Sequence, residues 1–443
     1  MLLYIFTIAL ITIRFFTDTL KIAPLLLRFT DVLFLIPFIL YFLYRKIRAG
    51  DKLEGSGLWL YRGILAFAVI SVISGLLNLS RIRLYPAIFF LFLTTVPFFY
   101  SFLILNSFDY HVLEKNFKLL LFLGILQIPV GLLEFAYFGP HADLISGTFG
   151  GNCYQMNFFL FITLCGLLSL ISMNKRYWYY FLLFPPALFI ILMSGFRSIW
   201  VFFFIIIIII TCITAWHTRT KVIAVPALVA FIVIGFTIFN LKLPEARGRD
   251  VVFILKNPSI ILEFGKIRAF LNLLKMYSDN AKWLLFGTGP GCYNSRAFWI
   301  FYHYAKSMRI FPVIGPTDVA LKYVLPIWSA SLLFVKFGSA TITTPWSSFI
   351  GIPGEVGITG ALLFFFLYIR ITHFVWKCQR YALKIRDENL FTLSTMAFAG
   401  MLTIWCMATL GNWFESTRVM LIEWLLITHL IAAKNRGLIK IKC

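Results

Sequence analysis

Phe202-Phe203-Phe204-Ile205-Ile206-Ile207-Ile208-Ile209-Ile210 is aromatic or aliphatic at every position. A half-buried strand alternates apolar with polar residues, and this stretch does not. It is one of many apolar runs near the ~20 residues that carry a helix across a bilayer. Only helices and closed barrels satisfy the backbone in lipid, and the missing alternation argues against a barrel. The composition agrees: 60% of residues are hydrophobic, 13% are charged, and mean hydropathy is +0.89. A soluble domain holds about 45–50% apolar and about 25% charged residues. The fold class is therefore an all-α polytopic membrane protein. The first apolar run lacks a basic start and a small-residue cleavage site, so no cleavable signal peptide is expected.

Twelve spans are read, at about 2–16, 30–44, 58–78, 84–105, 117–138, 156–173, 177–193, 198–216, 222–240, 349–373, 391–410 and 419–433. The positive charges orient them. With the N-terminus inside, the inner segments hold 20 Lys and Arg and the short outer loops hold seven. The bias toward the cytoplasmic side in short loops places both termini in the cytoplasm. The net charge of +22 is thereby used up in topology and in one long loop, so nucleic acid is not an expected partner. Seven cysteines show no metal-type spacing. Cys153 and Cys292 are both expected to face outward, with two unpaired thiols favoured over a disulfide.

Three parts follow: spans one to nine (1–240), a large loop between spans nine and ten (241–345), and spans ten to twelve with a basic tail (346–443). The loop is 105 residues long and carries 13 Lys and Arg against five Asp and Glu. It is the most polar part of the chain, and the charge rule makes it extracytoplasmic. Val319–Phe337 is apolar enough for a thirteenth span, but Lys322, Pro326 and Lys336 favour a helix at the interface. Asn257-Pro258-Ser259 marks a helix start. Ile260, Phe264, Ile267, Leu271 and Leu274 then share one stripe, predicting an amphipathic helix on the outer leaflet or against the bundle. No internal repeat is evident, which weakens an inverted-repeat transporter reading.

Several residues are candidates for chemistry. Gly287, Gly289 and Gly291, in Phe286-Gly287-Thr288-Gly289-Pro290-Gly291-Cys292-Tyr293, form a glycine-dense turn. Such a turn either cradles a phosphate with backbone N–H groups or simply reverses the chain, and it lacks the Lys-Ser/Thr of a P-loop. Arg197, in Ser194-Gly195-Phe196-Arg197-Ser198, sits between two apolar spans and is either a headgroup anchor or a phosphate ligand. Arg81 and Arg83 read as anchors. Arg247 and Arg249 lie just past span nine, where Glu245 and Asp250 are ready partners. Glu355 is either a carboxylate stabilised at a helix N-terminus or a general base or acceptor ligand at the membrane surface. His303 is the one histidine of the long loop and lies in an aromatic stretch. Glu134 and Glu423 lie near outer span ends and read less as a buried proton relay than central residues would.

Three segments together resemble the O-antigen ligase and O-antigen polymerase superfamily of bacterial surface polysaccharide assembly. They are Ser194-Gly195-Phe196-Arg197-Ser198, the stretch from Lys266-Ile267-Arg268 to Leu284-Leu285-Phe286-Gly287-Thr288-Gly289-Pro290-Gly291, and Pro345-Trp346-Ser347-Ser348-Phe349 through Glu355-Val356-Gly357-Ile358-Thr359-Gly360. Twelve spans with one large loop between the ninth and tenth are similar too. The resemblance covers about residues 145–370.

It implies a GT-C-like, metal-independent glycosyltransferase of the bacterial inner membrane that needs no cofactor. Its substrate would be an undecaprenyl-diphosphate-linked oligosaccharide, moved onto an acceptor outside the cytoplasm. Chain-length regulators or other polysaccharide assembly proteins would be its partners. By match, Arg197 and Arg268 would bind the diphosphate, with Arg247 and Arg249 as further candidates, and Glu355 would support the acceptor side. Trp346 stands where ligases carry a catalytic histidine. That departure favours polymerisation over ligation, with His303 as a stand-in base. The alternatives are a ligase delivering glycan to lipid A-core or protein, a flippase of lipid-linked sugar, and a scaffold without activity.

Overall fold

The computed structural model describes residues 57–107, 110–139, 145–150, 153–194, 202–203, 205–210, 264–308, 315–327 and 346–441, together with Thr12. Among the described residues all regular structure is helical. In chain order the helices are α1 Leu58–Leu77, α2 Leu84–Ser107, α3 Tyr110–Phe138, α4 Cys153–Met173 and α5 Phe184–Met193. The loop contributes α6 Gly265–Asp279, α7 Ala281–Phe286, α8 Arg296–Met308 and α9 Asp318–Tyr323. The last three are α10 Ser348–Ile385, α11 Glu388–Ala408 and α12 Thr417–Asn435. Residues 205–210, in the isoleucine run, are helical as expected.

Among the described residues, seven stretches are long and apolar enough to cross a membrane: α1, the first part of α2, most of α3, α4, Arg176–Met193, α10 and α11. The expected spans 2–16, 30–44 and 222–240, and most of 198–216, lie outside the described residues. Span 177–193 differs in form, because Lys175–Leu183 is a 3-10 turn. Pro185 and Pro186 fix the start of α5 immediately after it, where a missing N–H costs nothing. α12 is mostly apolar with no separate polar face, and every residue from Thr417 to Ala433 is buried. A helix of that kind belongs at the centre, and α12 packs against α2, α3, α4 and α11.

The hydrogen bonds sort the bundle into two ends. Ser74 and Asn78 at the end of α1 bond residues 355 and 287, and Gln155 at the start of α4 bonds Ser416 before α12. At the other end Asn174, after α4, donates to Glu388 at the start of α11 at 2.9 Å. α10 and α12 therefore run one way and α11 the other. The loop helices α6 to α9 sit on the first end with their own apolar cluster, built on Ala269, Leu273, Met276, Trp283, Tyr293, Trp299 and Tyr323.

Two expectations about the loop become more specific. The stripe read through Ile267, Leu271 and Leu274 is not the one α6 buries, for Leu271 and Leu274 are each 48% exposed. The inward face is Ala269, Leu273, Met276 and Tyr277. Ala269 admits close approach, so the helix docks on its small-residue side and turns the larger residues out. Val319–Phe337 begins as the six-residue α9, capped by the Thr317 hydroxyl. Val319, Ala320, Tyr323, Val324 and Ile327 are buried against the other loop helices, and residues 328–345 lie outside the described ones.

Candidate functional site

α10 is interrupted at Gly357, which takes φ 71° and ψ −178°. A side chain there would be strained and would also strike the Leu285 carbonyl. A break of this kind exposes carbonyls on its N-terminal side. Those of Gly354 and Glu355 are taken by the glycine-dense turn. The Thr288 N–H donates to Gly354 O at 2.9 Å and its hydroxyl does so at 3.0 Å. The Gly289 N–H donates to Glu355 O at 3.0 Å, and so does the Ser74 hydroxyl from α1. Gly287, with φ 71°, lies so close to Glu355 and Gly357 that a Cβ would collide with their backbone.

The Glu355 side chain holds the same loop a few residues on. It is 0% exposed. Its Oε2 accepts the Cys292 N–H at 2.7 Å, and its Oε1 accepts those of Tyr293 and Ser295, both at 3.0 Å. A second buried acid continues the pattern. Glu415, in the 3-10 turn Trp413–Glu415 before α12, accepts the Arg296 N–H on Oε2 at 2.6 Å. Between them, Asn412 donates to Asn294 O at 2.9 Å. The donors of residues 292–296 belong to the approach and first turn of α8. There free N–H groups and the positive helix end favour carboxylates. Burial pushes the Glu415 carboxyl up to about 8; the nearby Glu355 carboxylate adds to this, and the Arg296 N–H opposes it.

A third acid repeats the device. Glu134 on α3 accepts the Ser146 and Gly147 N–H groups on Oε2 at 2.7 and 2.6 Å. Gln127 on the same helix takes the Thr148 N–H at 2.9 Å. Arg418, buried in α12, donates to Phe149 O at 3.1 Å. Three acids at one end of an apolar bundle thus grip two separate loops by their backbones.

The cations at this end divide by role. Arg81 lies over the Trp283 ring at 5.3 Å, and Lys282 donates to Leu77 O, so both staple α7 to the end of α1. The Arg296 guanidinium donates to the Tyr154 hydroxyl at 3.0 Å. Lys266 and Arg268 share α6. Arg268 is half-buried, and burial lowers the Lys266 ammonium to about 8.

The structure brings Gly287, Gly289, Gly291 and Glu355 together and shows what each of them holds. The turn is no open phosphate cradle: the N–H groups of Thr288 and Gly289 are spent on α10, and Gly291 is pressed against Pro86. Glu355 is not at a helix N-terminus, since α10 starts at Ser348 with the Ser347 hydroxyl as its cap. Both its oxygens accept N–H groups of the loop, and the side chain has no surface exposure. Glu134 and Glu423, near their helix ends, are both buried, and Glu423 rests on Gly400 of α11. Cys153 and Cys292 are both buried at this end of the bundle and are not joined in a disulfide.

Trp346 packs its ring 5.9 Å from that of Trp299, inside the aromatic part of the loop cluster. His303 is on α8, and its side chain lies outside the described residues. Arg197, Arg247 and Arg249 also lie outside them. Ser194, three residues before Arg197, is buried and accepts from Asn157 of α4 at 2.7 Å.

Sequence reasoning missed Glu415, Arg296 and Arg418. A usable signal was present for Glu415: it is one of few carboxylates beside an apolar span, as Glu355 is. No known protein family, characterised protein or solved structure matches the chain.

Proposed function

We propose that the chain is a membrane glycosyltransferase that polymerises polyprenyl-diphosphate-linked oligosaccharide outside the cytoplasm. One observation carries the reading. Two of the stretches that resemble the O-antigen polymerase and ligase superfamily, 284–291 and 354–360, lie some sixty residues apart and pack directly on each other (Thr288 N–H to Gly354 O, 2.9 Å). A resemblance arising by chance gives no reason for its separate pieces to meet.

In this reading the clamped loop is a rigid platform. Arg268, with Arg197 and with Arg247 and Arg249 as further candidates, would neutralise the diphosphate as it leaves. Charge that develops on a leaving group is where fixed donors contribute most. Glu355 and Glu415 act as positioning residues: they hold the first turn of α8, and α8 carries His303 as the candidate base. The packing of Trp346 into the loop core, at the place where ligases hold a histidine, favours the polymerase over the ligase.

The test is the surface glycan of a deletion strain complemented with wild type, Arg268→Ala or Arg197→Ala. The expected result is glycan capped by a single repeat in the deletion and in both variants, with each variant protein accumulating in the membrane. Wild-type polymer length in both variants would overturn the assignment. Full-length polymer stranded on its lipid carrier would identify a ligase instead.

A further inference from the structure

The far end of the bundle, opposite the clamped loop, holds a groove of about 790 Å³ lined by Trp376, Lys377, Arg380, Tyr381, Leu383, Lys384, Arg386 and Ile441. Four cations line it, and no carboxylate of the described residues does. The nearest acids in sequence are engaged elsewhere: Asp387 caps the Leu390 N–H at 2.9 Å, and Glu388 accepts from Asn174 at 2.9 Å. Lys377, Arg380 and Lys384 fall at three- and four-residue spacing, so they share a helix face and repel one another.

A second observation points the same way. Arg386 ends α10 with φ 58°, and among the described residues it is the one non-glycine with a left-handed backbone. Glycine is the residue suited to that place. An arginine held there against the local preference suggests that its charge is used.

The position of the groove selects the ligand. From the Gly357 break to Trp376, α10 rises about 27 Å, close to the ~30 Å of a hydrocarbon core. Leu362, Phe366, Ile369 and Trp376 form one exposed stripe along that rise, and Arg380 continues it. An apolar track thus leads directly into a cationic pocket at the depth where headgroups lie. Guanidinium groups suit phosphate oxygens, which they can bind in pairs.

We propose that this groove binds the phosphate of an anionic glycerophospholipid, with the acyl chains laid along the Leu362–Trp376 stripe. It is independent of the glycosyltransferase reading, because it uses none of the residues of that site.

The test uses purified, delipidated full-length protein titrated with phosphatidylglycerol, with phosphatidylcholine and with inorganic phosphate. Bound lipid is counted by native mass spectrometry, and unfolding is followed by tryptophan fluorescence. Phosphatidylglycerol should be retained and should raise the unfolding temperature, while phosphatidylcholine should do neither. Arg380→Gln with Lys384→Gln removes two exposed charges and should weaken retention roughly thirty-fold, at the usual contribution per cation near a charged surface. Arg386→Gly should stabilise the lipid-free protein and still bind less lipid, a combination that a purely structural role would not give. Equal retention of both lipids, or wild-type retention by the charge variants, would overturn the proposal. Displacement of the lipid by equimolar inorganic phosphate would show a free-anion site instead. Displacement by a co-purifying acidic protein would show a protein site.

Discussion

Glu355 and Glu415 look alike in composition and burial but differ in how their oxygens are used. Glu355 accepts on both oxygens. An amide in its place must point NH2 at one of those N–H groups. Glu355→Gln is therefore expected to destabilise the protein by about 1–3 kcal/mol, the cost of leaving a buried donor unmet, measured by thermal or denaturant unfolding. Glu415 accepts from Arg296 on Oε2, and its Oε1 has no hydrogen-bond partner among the described residues. Glutamine fits there, so Glu415→Gln should fold. Burial makes the folded chain hold the Glu415 proton from the ordinary value of 4.5 up to about 8. Stability contributed below pH 4.5 is then lost as pH rises toward about 8, because the folded state binds the extra proton across that window. Unfolding temperatures should decline more steeply over this range in wild type than in Glu415→Gln, and parallel profiles would refute the assignment. The sequence marked Glu355 out by its rarity at a span start. It gave no such mark to the Glu415–Arg296 contact, whose partners stand 119 positions apart in the chain.

At the level of elements, the break in α10 decides what the glycine turn is for. The turn itself was legible, because three glycines within five residues permit little else. Its occupant was not legible, since the carbonyls that fill it exist only because α10 interrupts itself at Gly357. Gly357→Ala should cost on the order of 1–3 kcal/mol from backbone strain alone, and the contact with Leu285 would add to it. The turn should loosen with it. Cys292, 1% exposed, should then react with maleimide in folded protein, as mapped by mass spectrometry; protection equal to wild type would refute the coupling. Which face of α6 meets the bundle was not legible, for a related reason. The helix is apolar on two faces, and periodicity does not say which face is narrow enough to dock.

For the whole molecule, the period and length of the apolar runs sufficed for the class. All eight expected spans that fall largely within the described residues are helical. The charge count also orders the ends. The residues counted as outer, such as Arg81, Arg83 and Arg418, sit at the clamped end, and those counted as inner, such as Lys377, Arg380 and Lys434, sit at the other. A reporter enzyme that works only outside the cytoplasm should be active when fused after Gly411 and inactive when fused after Arg386. The reverse pattern would invert the topology and move the proposed glycan site inside the cell.

The way the buried acids hold the loops has a consequence for how this surface can change. Apart from the Ser295 hydroxyl at Glu355 and the weak Ser146 hydroxyl contact at Glu134, the acids Glu134, Glu355 and Glu415 bind backbone N–H groups. Every residue type except proline offers that group. The attachment therefore depends little on the identity of the residues it fastens, the two serines excepted. Residues 145–150 and 292–295 are nonetheless buried, so packing still selects their side chains, and the freedom to change falls to loop residues beyond the anchored ones.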